Sequence, residues 1–403
     1  MKQLLHTPEG VRDIYNVECA KKLALQERLH KVLHLYGYED IQTPTFEFFD
    51  VFRKEIGTIS SKELYKFFDK EGNTLVLRPD ITPSIARVAA TLFEDQTFPI
   101  RLCYIENTFI NHSSYLGRLK ESTQLGAELI NEPSVDADAE MLSLVIDCLK
   151  HAGLKEFQLT VGHAGFFQDL IEKAKMNEED EVHARELISN RNFFGLDELL
   201  EKINVSEEIK QAFQALPELL GGVEILENAK KIALDEESLQ AVCHLEEIYH
   251  ILETYGVEKY VTFDLTMSGT YGYYTGIVFR GYTYGTGDAI VKGGRYDKLI
   301  QKFGKDFPSI GFAVSVEDLM NSLSRQKIEI PSGEGNLIVL YENGRHDEAV
   351  TFTKELRNEG KNVILIKKDQ EKEISDYEEF GKKNMSSEIV FLQNDGQIKR
   401  IGL

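Results

Sequence analysis

"STQLGAELIN", residues 122–131, alternates strictly: Gln124, Gly126 and Glu128 fall on one side, Leu125, Ala127 and Leu129 on the other. That period of two is the signature of a strand with one face buried. Its polar face carries two hydrogen-bonding side chains roughly 13 Å apart along the strand. Upstream, "YIENTFINHSS" (104–114) has the composition of the other arm of a hairpin, continuing the strand "IRLCYIENTFI" (100–110). That arm contains no Arg and no Lys. The hairpin therefore offers a polar pocket wall beside a stretch with no cation for a phosphate.

Outward from this hairpin the chain alternates helix and strand signals. Residues 17–36 place Leu25, Leu29, Val32, Leu33 and Tyr36 on one helical face, and Gly37 is a natural stop. "YEDIQTPTFE" (38–47) reads as a strand leading to a turn at Pro44, and 64–80 as a hairpin turning at Glu71, Gly72 and Asn73. In "TPSIARVAATLF" (82–93) Thr82 suits the N-cap and Pro83 the first helical position. Residues 136–153 read as a helix whose Asp136, Asp138 and Glu140 complement the positive end of its dipole. Residues 165–257 are rich in Glu, Lys, Leu and Ala with helical periodicity, an expected helical insertion. Strand signals return at 259–300, a short strand enters a helix at 309–323, and 329–336 is a linker by composition. A strand at 337–341, a helix at 346–358 and a strand at 362–367 suggest a small C-terminal α/β domain, with the acidic 369–380 a solvated helix or loop. The expected domains are 1–164 with 258–328 as a core, 165–257 as the insertion and 335–403 at the C-terminus. The class is α+β.

The totals bound the function. A chain of 403 residues, 42% hydrophobic, is long enough for more than one domain. No stretch approaches the ~20 apolar residues of a membrane span, and "MKQLLHTPEGVRDI" has no signal-peptide pattern. Cys19, Cys103, Cys148 and Cys243 form no CxxC pair, so reduced cysteines in the cytoplasm are expected, and these cysteine spacings predict no zinc site. A formal net charge of −21 disfavours a polyanionic partner such as tRNA. "VKGGRYDKLI" lacks the spacing of a phosphate loop and is assigned a structural role, and His163 in "VGHAGF" is expected to be packed.

A set of segments resembles the catalytic core of the histidyl-tRNA synthetases, which are class II aminoacyl-tRNA synthetases. In order they are "TPEGVRDI", "YGYEDIQTPTFE", "LRPDITPSIAR", "QLGAELI", "YYTGIVF", "GGRYDKL" and "GFAVSVEDL", spanning about residues 7–320. The resemblance implies a mixed, mostly antiparallel sheet flanked by helices, a self-dimer with its interface near residues 38–50, and a histidine pocket. Asp80 and Thr82 would face the ammonium group, Gln124 would orient it, Glu128 would accept from an imidazole N–H, and Tyr273 and Tyr274 would close on the ring. Asp80-Ile81 stands where the family usually has Glu-Gly, so the shorter carboxylate is expected to reach the ammonium through water. Without the resemblance, Gln124 and Glu128 read as a solvated strand face, the tyrosines as packing, and Asp80 with Thr82 as a turn and cap.

The nucleotide side departs from the family. Activation of an amino acid needs cations where charge develops on the phosphates. The "FRxE" pattern is "FINH" here, with Ile110 for the Arg and His112 for the Glu. The "GLERL" pattern is "SVEDL", with Asp318 for the Arg, and the "RGLDYY" pattern is "GTYGYY", with Gly269 for the Arg. Arg118, Lys120 and Arg295 remain. The resemblance thus implies a relative without catalytic residues, of the kind that pairs with the short catalytic chain of ATP phosphoribosyltransferase. Such proteins are expected to form a hetero-octamer with that chain and to respond to L-histidine as effector. No cofactor, metal, nucleic acid or membrane is expected. The alternatives are a divergent histidyl-tRNA synthetase, which histidine-dependent ATP–pyrophosphate exchange would reveal, and a free-standing histidine- or tRNA-sensing module.

Overall fold

The computed structural model describes residues 5–53, 59–112, 118–267, 273–331, 333 and 335–403. They form two compact units, residues 1–12 with 26–329 and residues 13–25 with 330–403.

Helix α1 (Asn16–Leu35) ends at Gly37, whose φ of +78° suits glycine. Strands β1 (Glu39–Asp40) and β2 (Phe46–Phe48) follow, then β3 (Lys66–Phe68), β4 (Thr74–Leu77) and α2 (Thr82–Leu92). The long arms β5 (Ile100–Phe109) and β6 (Glu121–Ile130) lead to α3 (Val135–Ala152) and β7 (Phe157–His163). Next come α4 (Ala164–Lys173), α5 (Glu178–Ser189), α6 (Phe193–Ile203), α7 (Glu207–Ala215), β8 (Leu220–Gly221), α8 (Glu224–Ile232) and α9 (Glu236–Tyr255). The first unit closes with β9 (Val261–Asp264), β10 (Ile277–Thr283), β11 (Val291–Arg295), β12 (Ser309–Ser315) and α10 (Val316–Arg325).

Nine strands make one sheet in the order β1-β5-β6-β12-β11-β10-β7-β9-β8. Its β1–β5 and β7–β9 pairs are parallel and the others antiparallel. Strands β2, β4 and β3 form a separate small sheet. On β6 the apolar set behaves as the alternation requires: Leu125, Ala127 and Leu129 are fully buried. On the opposite face, Ile81, Ile85 and Ala89 pack on Ile100, Leu102 and Ile130, so α2 covers one end of that face. The other end, which carries Gln124 and Lys292, forms the wall of a cavity.

The second unit contains β13 (Asn336–Tyr341), α11 (His346–Asn358), β14 (Val363–Lys367), α12 (Ile374–Lys383), β15 (Ser386–Leu392) and β16 (Ile398–Gly402), with a sheet ordered β14-β13-β15-β16. Alternate residues of β13 feed two cores: Val339 and Tyr341 join Ala349 and Leu356 of α11, while Ile338 and Leu340 join Tyr377 of α12.

Several sequence expectations change. The strand expected over 38–47 is two short strands in different sheets, because Thr43 gives its N–H to the Glu106 carboxylate (3.1 Å) and Pro44 has none to give. Thr82 does not cap α2; Ile81 occupies that position, and the Thr82 hydroxyl donates to Glu128 instead. Asp136 and Asp138 stand in the first turn of α3, as expected, but Asp138 has partners beyond the helix dipole. It is fully buried and accepts from Arg295 Nε (2.8 Å), with its other oxygen on His244 Nε2 (2.7 Å). The acidic stretch 369–380 holds to expectation: it enters the largely exposed helix α12, in which Tyr377 is buried on the sheet.

Candidate functional site

The cavity has a volume of about 570 Å³. Asp80, Thr82, Gln124, Tyr273 and Tyr274 all line it, so the structure brings together five of the six residues expected at a histidine pocket. Each position has a local cause. Asp80 ends the segment after β4, with Oδ1 accepting from the N–H of Ile81 (2.8 Å). Thr82 opens α2 and faces the sheet. Gln124 stands on the cavity side of β6; its Oε1 is buried and has no hydrogen-bond partner among the described residues. The rings of Tyr273 and Tyr274 are 4.8 Å apart and tilted, and Tyr273 meets Tyr296 edge-on at 5.8 Å.

Glu128, the sixth, lies behind this wall and is 1% exposed. Oε1 accepts from the Thr82 hydroxyl at 2.7 Å, and Oε2 from the Tyr296 hydroxyl. Burial pushes its pKa up to about 8, against the lowering effect of those two hydrogen bonds. The space it occupies exists because Gly311, its cross-strand partner on β12, has no side chain: a Cβ there would lie 1.6 Å from Oε2. Gly126 serves Tyr104 in the same way, since a Cβ would lie 2.5 Å from the Tyr104 hydroxyl oxygen. From "GGRYDKL" alone Tyr296 has only a structural role. Its part here rests on a hydrogen bond to Glu128, on a strand that is not its sheet neighbour, which local spacing does not encode.

The remainder of the cavity wall is poor in available cations. Ile110 is apolar, and His112 has Nδ1 3.5 Å from Glu63. Asp318 accepts from the Ser315 hydroxyl at 2.6 Å in the first turn of α10. Gly269, at the third arginine position, lies outside the described residues. Arg118 is paired with Asp288 at 3.3 Å. Arg295 alternates to the opposite face of β11, where it is buried against Asp138 and Asp297. Lys120 donates its backbone N–H to Gly10 and stands away from the cavity wall, its side-chain carbons against Gly10. Lys292, which the sequence reading did not single out, does line the cavity. Burial holds its pKa below the usual lysine value, Arg280 and Arg118 push the same way, and Asp288 opposes them.

This site suits a small molecule with a cationic end and a ring: carboxylate and amide acceptors on one side, tyrosine faces on the other.

The family model for histidyl-tRNA synthetase matches residues 10–319. An ATP phosphoribosyltransferase regulatory subunit of Acetivibrio thermocellus is 40% identical over 356 residues, which is 88% of this chain and 85% of that protein. The chain belongs to the ATP phosphoribosyltransferase regulatory subunit family. A second regulatory subunit, from Ruminiclostridium cellulolyticum, is 38% identical over 88% of this chain and 85% of its own length. The crystal structure of an ATP phosphoribosyltransferase regulatory subunit/histidyl-tRNA synthetase from Bacillus halodurans superposes with a TM-score of 0.86 at 31% identity, covering 97% of this chain and 99% of that one. The fold is therefore that of a class II synthetase, as the sequence implies. Among the described residues no helix is long and apolar enough to cross a membrane.

Proposed function

We propose that this regulatory subunit performs no chemistry itself and acts on a short ATP phosphoribosyltransferase catalytic chain, binding L-histidine in the cavity described above. One contrast carries the reading. Asp80, Thr82, Gln124, Tyr273 and Tyr274 line one cavity, whereas among the described residues the inherited arginine positions hold Ile110 and Asp318, and Arg295 faces away. Losing a single such donor costs orders of magnitude in rate. Asp80 and Gln124 supply acceptors for the ammonium group, and Tyr273 and Tyr274 flank the imidazole. Glu128 acts on the ligand through Thr82 and Tyr296, which it holds in place. Histidine then regulates by binding one conformation of the complex more tightly than the other.

The decisive experiment is co-expression with a short catalytic chain, followed by intact-mass measurement. Equal amounts of both chains in one hetero-octameric species support the proposal. Histidine-dependent ATP–pyrophosphate exchange by the purified chain alone overturns it in favour of a divergent synthetase. For the pocket, Asp80→Asn removes one charge-assisted contact, worth about 1.5–3 kcal/mol. Histidine affinity measured by calorimetry should fall roughly 10- to 100-fold. Unchanged affinity in a normally folded variant would move the ligand elsewhere.

A further inference from the structure

Helix α1 and strand β1 bring together side chains that the pocket does not use. His30 and His34 are one helical turn apart and so share a face of α1. Gly37 lets the chain reverse after the helix, and β1 then carries Asp40 back beside those two rings. Asp40 is also paired in register with Cys103 on β5. The result is a convergence from three elements. His30 Nε2 contacts Asp40 Oδ1, His34 Nε2 is 3.2 Å from Oδ2, and Cys103 Sγ is 3.5 Å from Oδ1. The two imidazoles are 4.2 Å apart, centroid to centroid. One donor atom from each of the four residues can be chosen so that all lie within 4.8 Å of one another.

We propose that His30, His34, Asp40 and Cys103 form a tetrahedral binding site for a single zinc ion. The ligand chemistry selects the metal. Thiolate and imidazole favour zinc over magnesium or calcium, which take oxygen ligands. Zinc bonds of about 2.0–2.3 Å place tetrahedral donors roughly 3.3–3.8 Å from one another, so the present spacing needs only small rotamer adjustments. The surroundings also fit: Cys103 is fully buried and forms the floor, while His34 and Asp40 are partly exposed and leave an entry path. On binding, the Cys103 thiol releases its proton to solvent, and the thiolate, the carboxylate and two neutral imidazoles complete the shell. Cysteine spacing could not reveal this set, because it contains one cysteine and its members are spread from residue 30 to residue 103.

The alternative is a plain cluster of His–Asp pairs, and cobalt(II) distinguishes the two. The full-length chain, freed of metal with a chelator, is titrated with Co²⁺ and then Zn²⁺. The expected result is one equivalent of Co²⁺, intense tetrahedral visible bands and a thiolate-to-cobalt charge-transfer band that zinc displaces. Cys103→Ser should abolish that charge-transfer band. His34→Gln, at a partly exposed position, should weaken zinc binding more than about 100-fold, beyond what outer-shell changes cause. Its unfolding midpoint in chelator should match the parent chain. The proposal is overturned by absence of the charge-transfer band at saturating cobalt. It is equally overturned if the band survives Cys103→Ser, or if His34→Gln leaves zinc affinity unchanged.

Discussion

Glu128 holds its proton up to about pH 8 in the folded chain, whereas an unperturbed glutamate releases it near 4.5. Between those values the native state binds more protons than the unfolded state, so stability falls as pH rises through that window. Its contribution is fully present below the lower value and lost above the upper one. Glu128→Gln keeps the shape of the protonated acid and removes the titration. Urea unfolding at about pH 6 and about pH 9 should show a smaller loss for this variant than for the parent chain. Equal losses would mean that Glu128 is already ionised at the lower pH. Gly311 belongs to the same arrangement. Gly311→Ala drives a methyl group into the Glu128 carboxylate, and overpacking of this kind costs about 1–3 kcal/mol or more. A lowered unfolding midpoint, with histidine binding lost, is expected; parent-like stability would show that the two strands can separate without cost.

Between elements, Asp138 is the joint to test. It ties α3 to β11 through Arg295 and to α9 through His244. Arg295→Ala leaves a buried carboxylate short of its cation and should destabilise the protein by about 3–5 kcal/mol in a denaturant titration. A loss below 1 kcal/mol would show that His244 alone satisfies Asp138. This joint also marks where sequence reading stops. The spacing of Leu125, Ala127 and Leu129 reveals β6, and the pattern at 346–358 matches α11, because period and partner lie within one element. The position of Asp138 in the first turn of α3 suggests a dipole effect, since nothing local announces Arg295. Thr82 reads as a cap for the same reason: its actual partner is on β6. Strands β15 and β16 carry no feature that the reading picked out. In the pocket, the five lining residues were legible through the order of family segments, while Tyr296 and Lys292 required the sheet register.

For the whole molecule, the face formed by β2, β4 and β3 is the natural place for a second copy. Phe46, Phe48 and Phe67 are 52%, 56% and 37% exposed on one face there, close to the stretch 38–50 at which the family resemblance implies a self-dimer. Such apolar exposure is unusual on a surface that remains in water. Phe48→Asp with Phe67→Asp should abolish the expected self-dimer in light scattering without loss of secondary structure; a persistent dimer would assign the contact to another surface. The topology of the large sheet has a separate consequence for how the chain reaches this state. Residues 157–163 pair with 277–283, and 124–130 with 309–315, so the stretch from α4 to α9 lies between strands that must meet. Closing that span forfeits chain entropy before the pairing returns any of it. The helices between should therefore gain structure early by local contacts, and the joining of the two halves of the sheet should be the slow event in refolding.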